Sequence, residues 1–91
     1  MYVYIMIDLT ERSTYKIGIS KNPKKRVKQL QTGNSHKIKL IFFEEVKEAK
    51  KAETIIHNFL KDSGNHISGE WFSLTDNQVI VIAKNLLTLE K

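Results

Sequence analysis

The sequence predicts an α+β domain in which a small three-stranded antiparallel sheet is flanked by helices, in the order ββαβαα. Three observations predict this class: two strand-like segments joined by a polar turn, paired start and stop signals for a helix, and a later apolar stripe with helical spacing. The chain has 91 residues, a length that suits one domain. We therefore expect residues 1–91 to form a single domain around one sheet.

The three strands are predicted from runs of β-branched and aromatic residues. Tyr2–Asp8 and Tyr15–Ser20 flank the polar turn and are expected to form a hairpin. Lys37–Val46 carries a dense apolar run and is expected to be the third strand. Antiparallel pairing follows for the first two because the turn that joins them is short.

The first helix is predicted from its two ends. Asn22 can cap a helix and Pro23 suits the first helical position, so the helix should begin there. Gly33-Asn34 is a typical stop signal, which places the end near Thr32.

Two further helices are predicted after the third strand. Lys47–Asp62 repeats apolar residues at helical spacing, and Gly64 ends it. Ile67–Leu74 is expected to be a loop or a short strand. Thr75 followed by Gln78 is a capping-box pattern and opens the last helix.

Composition and charge restrict the possible functions. The absence of cysteine excludes disulfides, thiolate zinc sites and cysteine nucleophiles. No apolar run approaches the ~20 residues that cross a bilayer, so no membrane partner is expected. The net charge is +5, and the stretch from Arg12 to Lys39 has many basic residues but no Asp or Glu. Such a block suits a polyanionic partner, nucleic acid above all, although a lysine-rich face kept for solubility is the simpler alternative.

Strand alternation predicts a small polar group on the hairpin. Tyr4, Lys16 and Gly18 are expected to lie on one face, opposite the apolar set that contains Tyr15. Glycine at this point would let a ligand approach the backbone. The alternative is that Tyr4 is half-buried packing, Lys16 is solvated and Gly18 marks a bulge.

Two side chains on the helices are candidates for phosphate and metal chemistry. Arg26 carries a planar fork that binds phosphate through two hydrogen bonds, although it could be one more surface cation. Glu53 falls at the margin of its helix's apolar stripe, with His57 one turn further on. A carboxylate there could hold Mg²⁺ together with waters, whereas the alternative is an acid–histidine pair that stabilises the helix.

Together these segments resemble the GIY-YIG nuclease superfamily, and most closely its small branch in phage and prophage proteins, first named from a phage T5 reading frame. In chain order the matching segments are Tyr2-Val3-Tyr4-Ile5-Met6, Tyr15-Lys16-Ile17-Gly18-Ile19-Ser20, Asn22-Pro23-Lys24-Lys25-Arg26-Val27, Ala52-Glu53 with His57, and Gly69-Glu70-Trp71-Phe72. The second tyrosine of the family motif falls on Lys16. Leu30 stands where many members have His or Tyr.

The resemblance implies an endonuclease that hydrolyses phosphodiester bonds with one Mg²⁺ or Mn²⁺ held by Glu53. Arg26 would stabilise the phosphate, Tyr4 would act as base or position the water, and Lys16 and His57 would complete the catalytic set. Tyrosine is a weak base because its ordinary pKa of ~10 makes deprotonation at pH 7 cost about 4 kcal/mol; Lys16 could lower that cost. The residues expected to contact nucleic acid are Tyr15, Gly18, Lys21, Lys24, Lys25 and Lys28.

The expected substrate is nucleic acid, with DNA favoured. The protein is expected to be a monomer or a homodimer in the cytoplasm of a bacterium or a phage-infected cell. Two alternatives remain open. The chain could be a nucleic-acid-binding module without catalysis, or a phage protein-interaction domain that uses Trp71-Phe72 as an exposed anchor. For that pair of aromatic residues, packing in the core is the simpler alternative.

Overall fold

A computed structural model describes residues 1–89 as an α+β fold built on one five-stranded antiparallel sheet. The strands run in the spatial order β3-β1-β2-β5-β4. The elements are β1 (Tyr2–Asp8), β2 (Thr14–Ser20), α1 (Pro23–Thr32), β3 (Ile38–Glu45), α2 (Ala49–Asp62), β4 (His66–Ser68), β5 (Trp71–Ser73) and α3 (Asp76–Leu87).

The prediction of a three-stranded sheet in the order ββαβαα is therefore wrong, and the order is ββαβαββα. The two additional strands have three residues each and are separated by a turn in which Gly69 has a φ of +53°. Strands this short carry no alternation pattern that a sequence could display. They form because β5 pairs with β2, placing Phe72 opposite Tyr15.

Local signals set the ends of the helices where the sequence placed them. The side chain of Asn22 accepts a hydrogen bond from the Lys25 amide at 3.1 Å, and Pro23 begins α1. Thr75 and Gln78 form both hydrogen bonds of the capping box at the start of α3. No helix within residues 1–89 is both long and apolar enough to cross a membrane.

The sheet is covered on both faces, so it has two apolar clusters. The larger cluster joins one face to α2 and α3 and is made of Val3, Ile5, Tyr15, Ile17, Val46, Ala49, Leu60, Phe72, Leu74, Ile82 and Leu86. The smaller cluster lies under α1 and contains Tyr4, Met6 and Ile38, with Val27, Leu30, Leu40 and Trp71 against them. Tyr4 is 1% exposed, so it is buried rather than half-buried.

Candidate functional site

The candidate site forms where β2 lacks a strand partner on one side. β5 pairs with β2 only from Thr14 to Lys16. Beyond that point the Ile17 amide donates to the carbonyl of Glu70 at 3.1 Å, and the Ile17 carbonyl accepts from His57 Nε2 at 2.7 Å. The β4–β5 turn and α2 thus close on the edge of β2, next to Gly18.

Gly18 makes room for the Tyr4 side chain. The two residues are directly opposite each other on β2 and β1. A Cβ added to Gly18 would lie 2.5 Å from Tyr4 Oη and 2.9 Å from Glu70 Oε1. The space that the sequence suggested for a ligand is therefore filled by these two side chains. Gly18 is buried, and its function in this structure is to admit the tyrosine hydroxyl.

Charged groups from three other segments surround that hydroxyl. Burial raises the pKa of Tyr4 above its ordinary value of 10.0; a hydrogen bond to Arg26 opposes the shift, and the charges of Glu70 and Glu53 add to it. Tyr4 on β1, Arg26 on α1 and Glu53 on α2 therefore meet at one place, although they are far apart in the sequence. The net upward shift of the Tyr4 pKa favours the neutral phenol.

Glu53 is the most unusual residue of the cluster because it is an almost fully buried acid. It is 2% exposed, and its Oε1 accepts a hydrogen bond from Lys50 Nζ at 3.0 Å. Its Oε2 is buried without a hydrogen-bond partner among the residues that the structure describes. An unsatisfied carboxylate oxygen of this kind costs free energy, about 1–3 kcal/mol or more for a charged group.

Glu53 offers one carboxylate oxygen, a ligand type that hard divalent cations prefer. This oxygen, Oε2, has no hydrogen-bond partner among the described residues, and the charge of Glu53 acts on the Tyr4 hydroxyl. Within residues 1–89 no group of three or more His, Asp or Glu side chains is arranged to hold a metal. An ion here would therefore take few ligands from the protein and complete its shell with water and phosphate oxygens, which is the coordination that Mg²⁺ commonly adopts.

Lys16, which was predicted to assist Tyr4, forms an ion pair with an acidic neighbour. It is 9% exposed, its Nζ lies 3.2 Å from Glu70 Oε1, and it lies 5.4 Å from the centre of the Trp71 ring. Its positive charge is therefore compensated by Glu70. Lys16 was expected to favour the Tyr4 phenolate, but the charged groups that shift the Tyr4 pKa are Arg26, Glu70 and Glu53. Glu70 was quoted from the sequence without a role; its pairing with Lys16 follows from β5 lying beside β2, which no local pattern reveals.

A run of exposed basic residues lies on and just before α1. Val27 and Leu30 of this helix pack into the smaller cluster, so Leu30 contributes packing rather than a catalytic group. The exposed basic side chains of this region include Lys21, Lys24, Lys25, Arg26 and Lys28. The helix therefore presents a positive surface beside Tyr4.

Two predicted site residues serve the fold instead. Tyr15 is 5% exposed in the larger cluster, and its hydroxyl lies 3.4 Å from Asp76 Oδ1. This position, on the opposite face of the sheet from Tyr4, corrects the expectation that it contacts nucleic acid. His57 donates to the Ile17 carbonyl and packs on Phe72, with ring centres 5.0 Å apart, so it anchors α2 to β2 one turn beyond Glu53.

The aromatic pair near the end of the family motif is packed. Phe72 is fully buried, and Trp71 packs against the smaller cluster. Phe72 therefore serves the core, as the packing alternative predicts, and Trp71 is half-buried at its edge.

An apolar groove lies away from this chemistry. A groove of about 700 Å³ runs between α2 and α3, and its lining is mainly apolar, with Ile55, Phe59 and Val81 among the exposed residues. None of Tyr4, Arg26 and Glu53 lines it.

The T5orf172 domain matches residues 1–87, which is nearly the whole chain. The protein therefore belongs to the T5orf172 domain family. No curated protein and no solved structure matches it significantly.

Proposed function

We propose that this protein is a GIY-YIG-type endonuclease that hydrolyses phosphodiester bonds in nucleic acid, preferably DNA, with one Mg²⁺ or Mn²⁺ bound by Glu53. The observation that carries the proposal is the buried Glu53 carboxylate, whose Oε2 has no hydrogen-bond partner within residues 1–89 and whose charge acts on Tyr4, the residue that Arg26 also contacts. A structural carboxylate would be expected to satisfy both oxygens. A carboxylate that binds a cation keeps one oxygen available.

Arg26 is the proposed phosphate ligand. It is exposed on α1, so a nucleic acid can reach it, yet it also contacts the buried Tyr4 hydroxyl. Its guanidinium can bind two phosphate oxygens and stabilise the charge that grows on them as the reaction proceeds.

Tyr4 is proposed to position the attacking water rather than to deprotonate it. Its raised pKa makes the phenolate rarer than in a free tyrosine. The neutral hydroxyl can still hold a water through a hydrogen bond, which fixes the line of attack. Of the two roles that the sequence left open for Tyr4, we therefore propose the positioning role.

The proposed reaction forms a bond between the water oxygen and phosphorus and breaks the bond from phosphorus to the 3′ oxygen. The water gives up a proton to solvent, and the departing 3′ oxygen takes one up. A bound divalent ion supplies Lewis acidity and lowers the pKa of a coordinated water. The residues of the chain contribute the carboxylate that binds the ion, the guanidinium on the phosphate and the hydroxyl that orients water.

One observation favours a second function, a nucleic-acid-binding module without catalysis. Lys50 already forms an ion pair with Glu53, and Lys16 replaces the family's second tyrosine. If no metal displaces Lys50, the basic face of α1 would still bind phosphates. In either case the protein is proposed to act in the cytoplasm, as a monomer or a homodimer.

The two functions are separated by measuring cleavage of duplex, branched and single-stranded DNA with Mg²⁺ or Mn²⁺. We expect Glu53→Gln to abolish cleavage, because the isosteric amide loses the charge that binds the ion. Glu48→Gln is the matched control. Glu48 also pairs with a lysine three residues away, Lys51, at 3.6 Å, but its side chain is 67% exposed. Full metal-dependent activity in Glu53→Gln would refute the metal role, and an inactive wild-type protein that still binds DNA would support the module.

A further inference from the structure

A second feature of the Tyr4 face is an exposed aromatic ring beside the buried one. Phe43 of β3 lies directly opposite Tyr4 of β1, on the side away from Gly18. Residues directly opposite each other in an antiparallel pair point to the same face of the sheet. The row across the sheet is therefore Gly18, Tyr4 and Phe43, which runs from the buried site out to the edge strand.

Phe43 is 40% exposed, although it sits in a sheet next to a residue that is almost completely buried. The edge of the Tyr2 ring packs against it, with centres 5.8 Å apart and planes at 70°. Lys24 Nζ lies over the Phe43 ring, 5.9 Å from its centre. We call Tyr2, Phe43 and Lys24 the Phe43 platform.

From this platform we infer that the site takes nucleic acid with an unpaired nucleotide, whose base stacks on Phe43 while its phosphate lies near Lys24. This inference rests on the proposed nuclease function and adds the class of its substrate. Aromatic rings bordered by basic residues bind single-stranded nucleic acid in this way, because every base has a π-face and every linkage has a charge.

The geometry of the platform favours an unpaired base over a paired one. In a duplex the faces of the bases are covered by their stacked neighbours, so a ring on a protein surface can reach only a base that is single-stranded or turned out of the stack. Phe43 is adjacent to Tyr4 in the sheet. The stacked nucleotide would therefore be close to the scissile phosphate.

Lys24 is placed to leave the Phe43 ring and bind a phosphate. Its distance of 5.9 Å from the ring centre is at the outer limit of a cation–π contact, and its side chain is exposed. A base can thus take its place on the ring while the ammonium turns to the phosphate. Glu45 lies opposite Tyr2 at the other end of the platform. Because its carboxylate repels phosphates, we expect the phosphates to lie over α1.

The inference is tested by equilibrium binding in EDTA, where cleavage does not occur. The wild-type protein, Phe43→Ala and Phe43→Trp are titrated into one labelled oligonucleotide, first as a single strand and then as a blunt duplex. We expect Phe43→Ala to weaken single-strand binding by about five- to 150-fold, the effect of removing a stacked aromatic ring. Duplex binding should change by less than about twofold, and Phe43→Trp should bind the single strand at least as well as the wild-type protein.

Phe59→Ala is the matched control, because Phe59 is another exposed phenylalanine, 66% exposed on α2. It should leave both affinities unchanged. Wild-type affinity of Phe43→Ala for the single strand would overturn the inference, as would an equal loss for single strand and duplex. Those results leave the proposed nuclease function standing if the wild-type protein cleaves DNA, whereas a wild-type protein that neither binds nor cleaves nucleic acid overturns both.

Discussion

The ammonium of Lys50 lies 3.0 Å from Glu53 Oε1, so the carboxylate proposed to bind a metal already holds a cation from its own helix. The two partners differ sharply in their surroundings, with Lys50 at 77% side-chain exposure and Glu53 at 2%. The hydrogen bond to Glu53 raises the pKa of Lys50. A divalent ion that binds both carboxylate oxygens would have to displace this ammonium.

Replacing Lys50 should therefore tighten metal binding. We expect Lys50→Gln to lower the dissociation constant for Mn²⁺ by roughly two- to fivefold. The gain is modest because the Lys50 ammonium is exposed to solvent, which weakens its competition with the ion. Isothermal titration with Mn²⁺ measures this without any nucleic acid. Lys51→Gln is the control, because Lys51 pairs with the exposed Glu48. Equal affinities for Lys50→Gln and the wild-type protein would mean that Lys50 does not compete with the ion.

His57 should act as an anchor for α2 rather than as an acid or base. In His57→Ala the Ile17 carbonyl loses its partner, which costs about 1–3 kcal/mol of unfolding free energy, and the ring packed on Phe72 is lost as well. His57→Gln retains a side-chain donor and should recover part of the stability. Urea unfolding measures both variants.

The anchor role has a second measurable consequence, since Glu53 lies one turn from His57. His57→Ala should weaken Mn²⁺ binding, and His57→Gln should restore part of it. A catalytic role predicts something else: both variants would lose cleavage equally, while stability and Mn²⁺ affinity stayed at the wild-type level.

An ion pair between the end of β1 and the loop before β3 should make the stability of the fold depend on pH. Asp8 Oδ2 lies 2.7 Å from His36 Nδ1, and this hydrogen bond raises the pKa of His36 above 6.5. Burial pushes the Asp8 pKa upward, but hydrogen bonds from His36 and from backbone amides outweigh it and hold the pKa below 3.8.

The signs of these two shifts set the pH range. A raised histidine pKa stabilises the fold fully below 6.5, and this stability is lost as the pH rises through the folded-state value. A lowered aspartate pKa stabilises it above 3.8, and this is lost as the pH falls through the folded-state value. The melting temperature should therefore fall from about pH 6 to pH 8 more steeply in the wild-type protein than in His36→Asn or Asp8→Asn. An unchanged slope in both variants would contradict the assignment.

The sequence predicts those parts of the fold that local patterns determine. β1 is a run of aromatic and β-branched residues, and Asn22-Pro23 fixes the start of α1 through a hydrogen bond from the Lys25 amide to Asn22. β4 and β5 depend on a partner instead, because their three-residue strands become ordered only beside β2. Sequence spacing cannot indicate such pairing.

The same distinction applies to the site. Tyr4, Arg26 and Glu53 were predicted through the resemblance, and in the structure Arg26 and Glu53 both act on the pKa of Tyr4. Lys50 could have been found locally, because it lies three residues from Glu53 on a predicted helix. Glu70 and Phe43 could not be found from local patterns. Glu70 reaches the site because β5 pairs with β2, and Phe43 reaches it through the register between β3 and β1. Strand alternation placed Tyr15 on the apolar face. Its position next to Lys16 in the motif nevertheless led to the prediction that it contacts nucleic acid.

The contact between Gly18 and Tyr4 gives the most direct test of the site's architecture. A Cβ at Gly18 would lie 2.5 Å from Tyr4 Oη and 2.7 Å from Cζ, and the ring is too deeply buried to move aside easily. We expect Gly18→Ala to lower the unfolding free energy by about 1–3 kcal/mol, the usual cost of overpacking. Gly33→Ala is the control: nothing lies within 4 Å of its Cβ and its φ is −97°, so the change should be neutral or stabilising.

The double variant Tyr4→Phe/Gly18→Ala shows whether the hydroxyl is the source of the cost. Removing Oη takes away the closest atom but leaves Cζ at 2.7 Å, so stability should recover in part. Cleavage should not recover, because the hydroxyl proposed to hold the attacking water is gone. A double-mutant cycle of unfolding free energies measures this coupling. Strictly additive free energies would mean that Gly18 and Tyr4 do not compete for the same space.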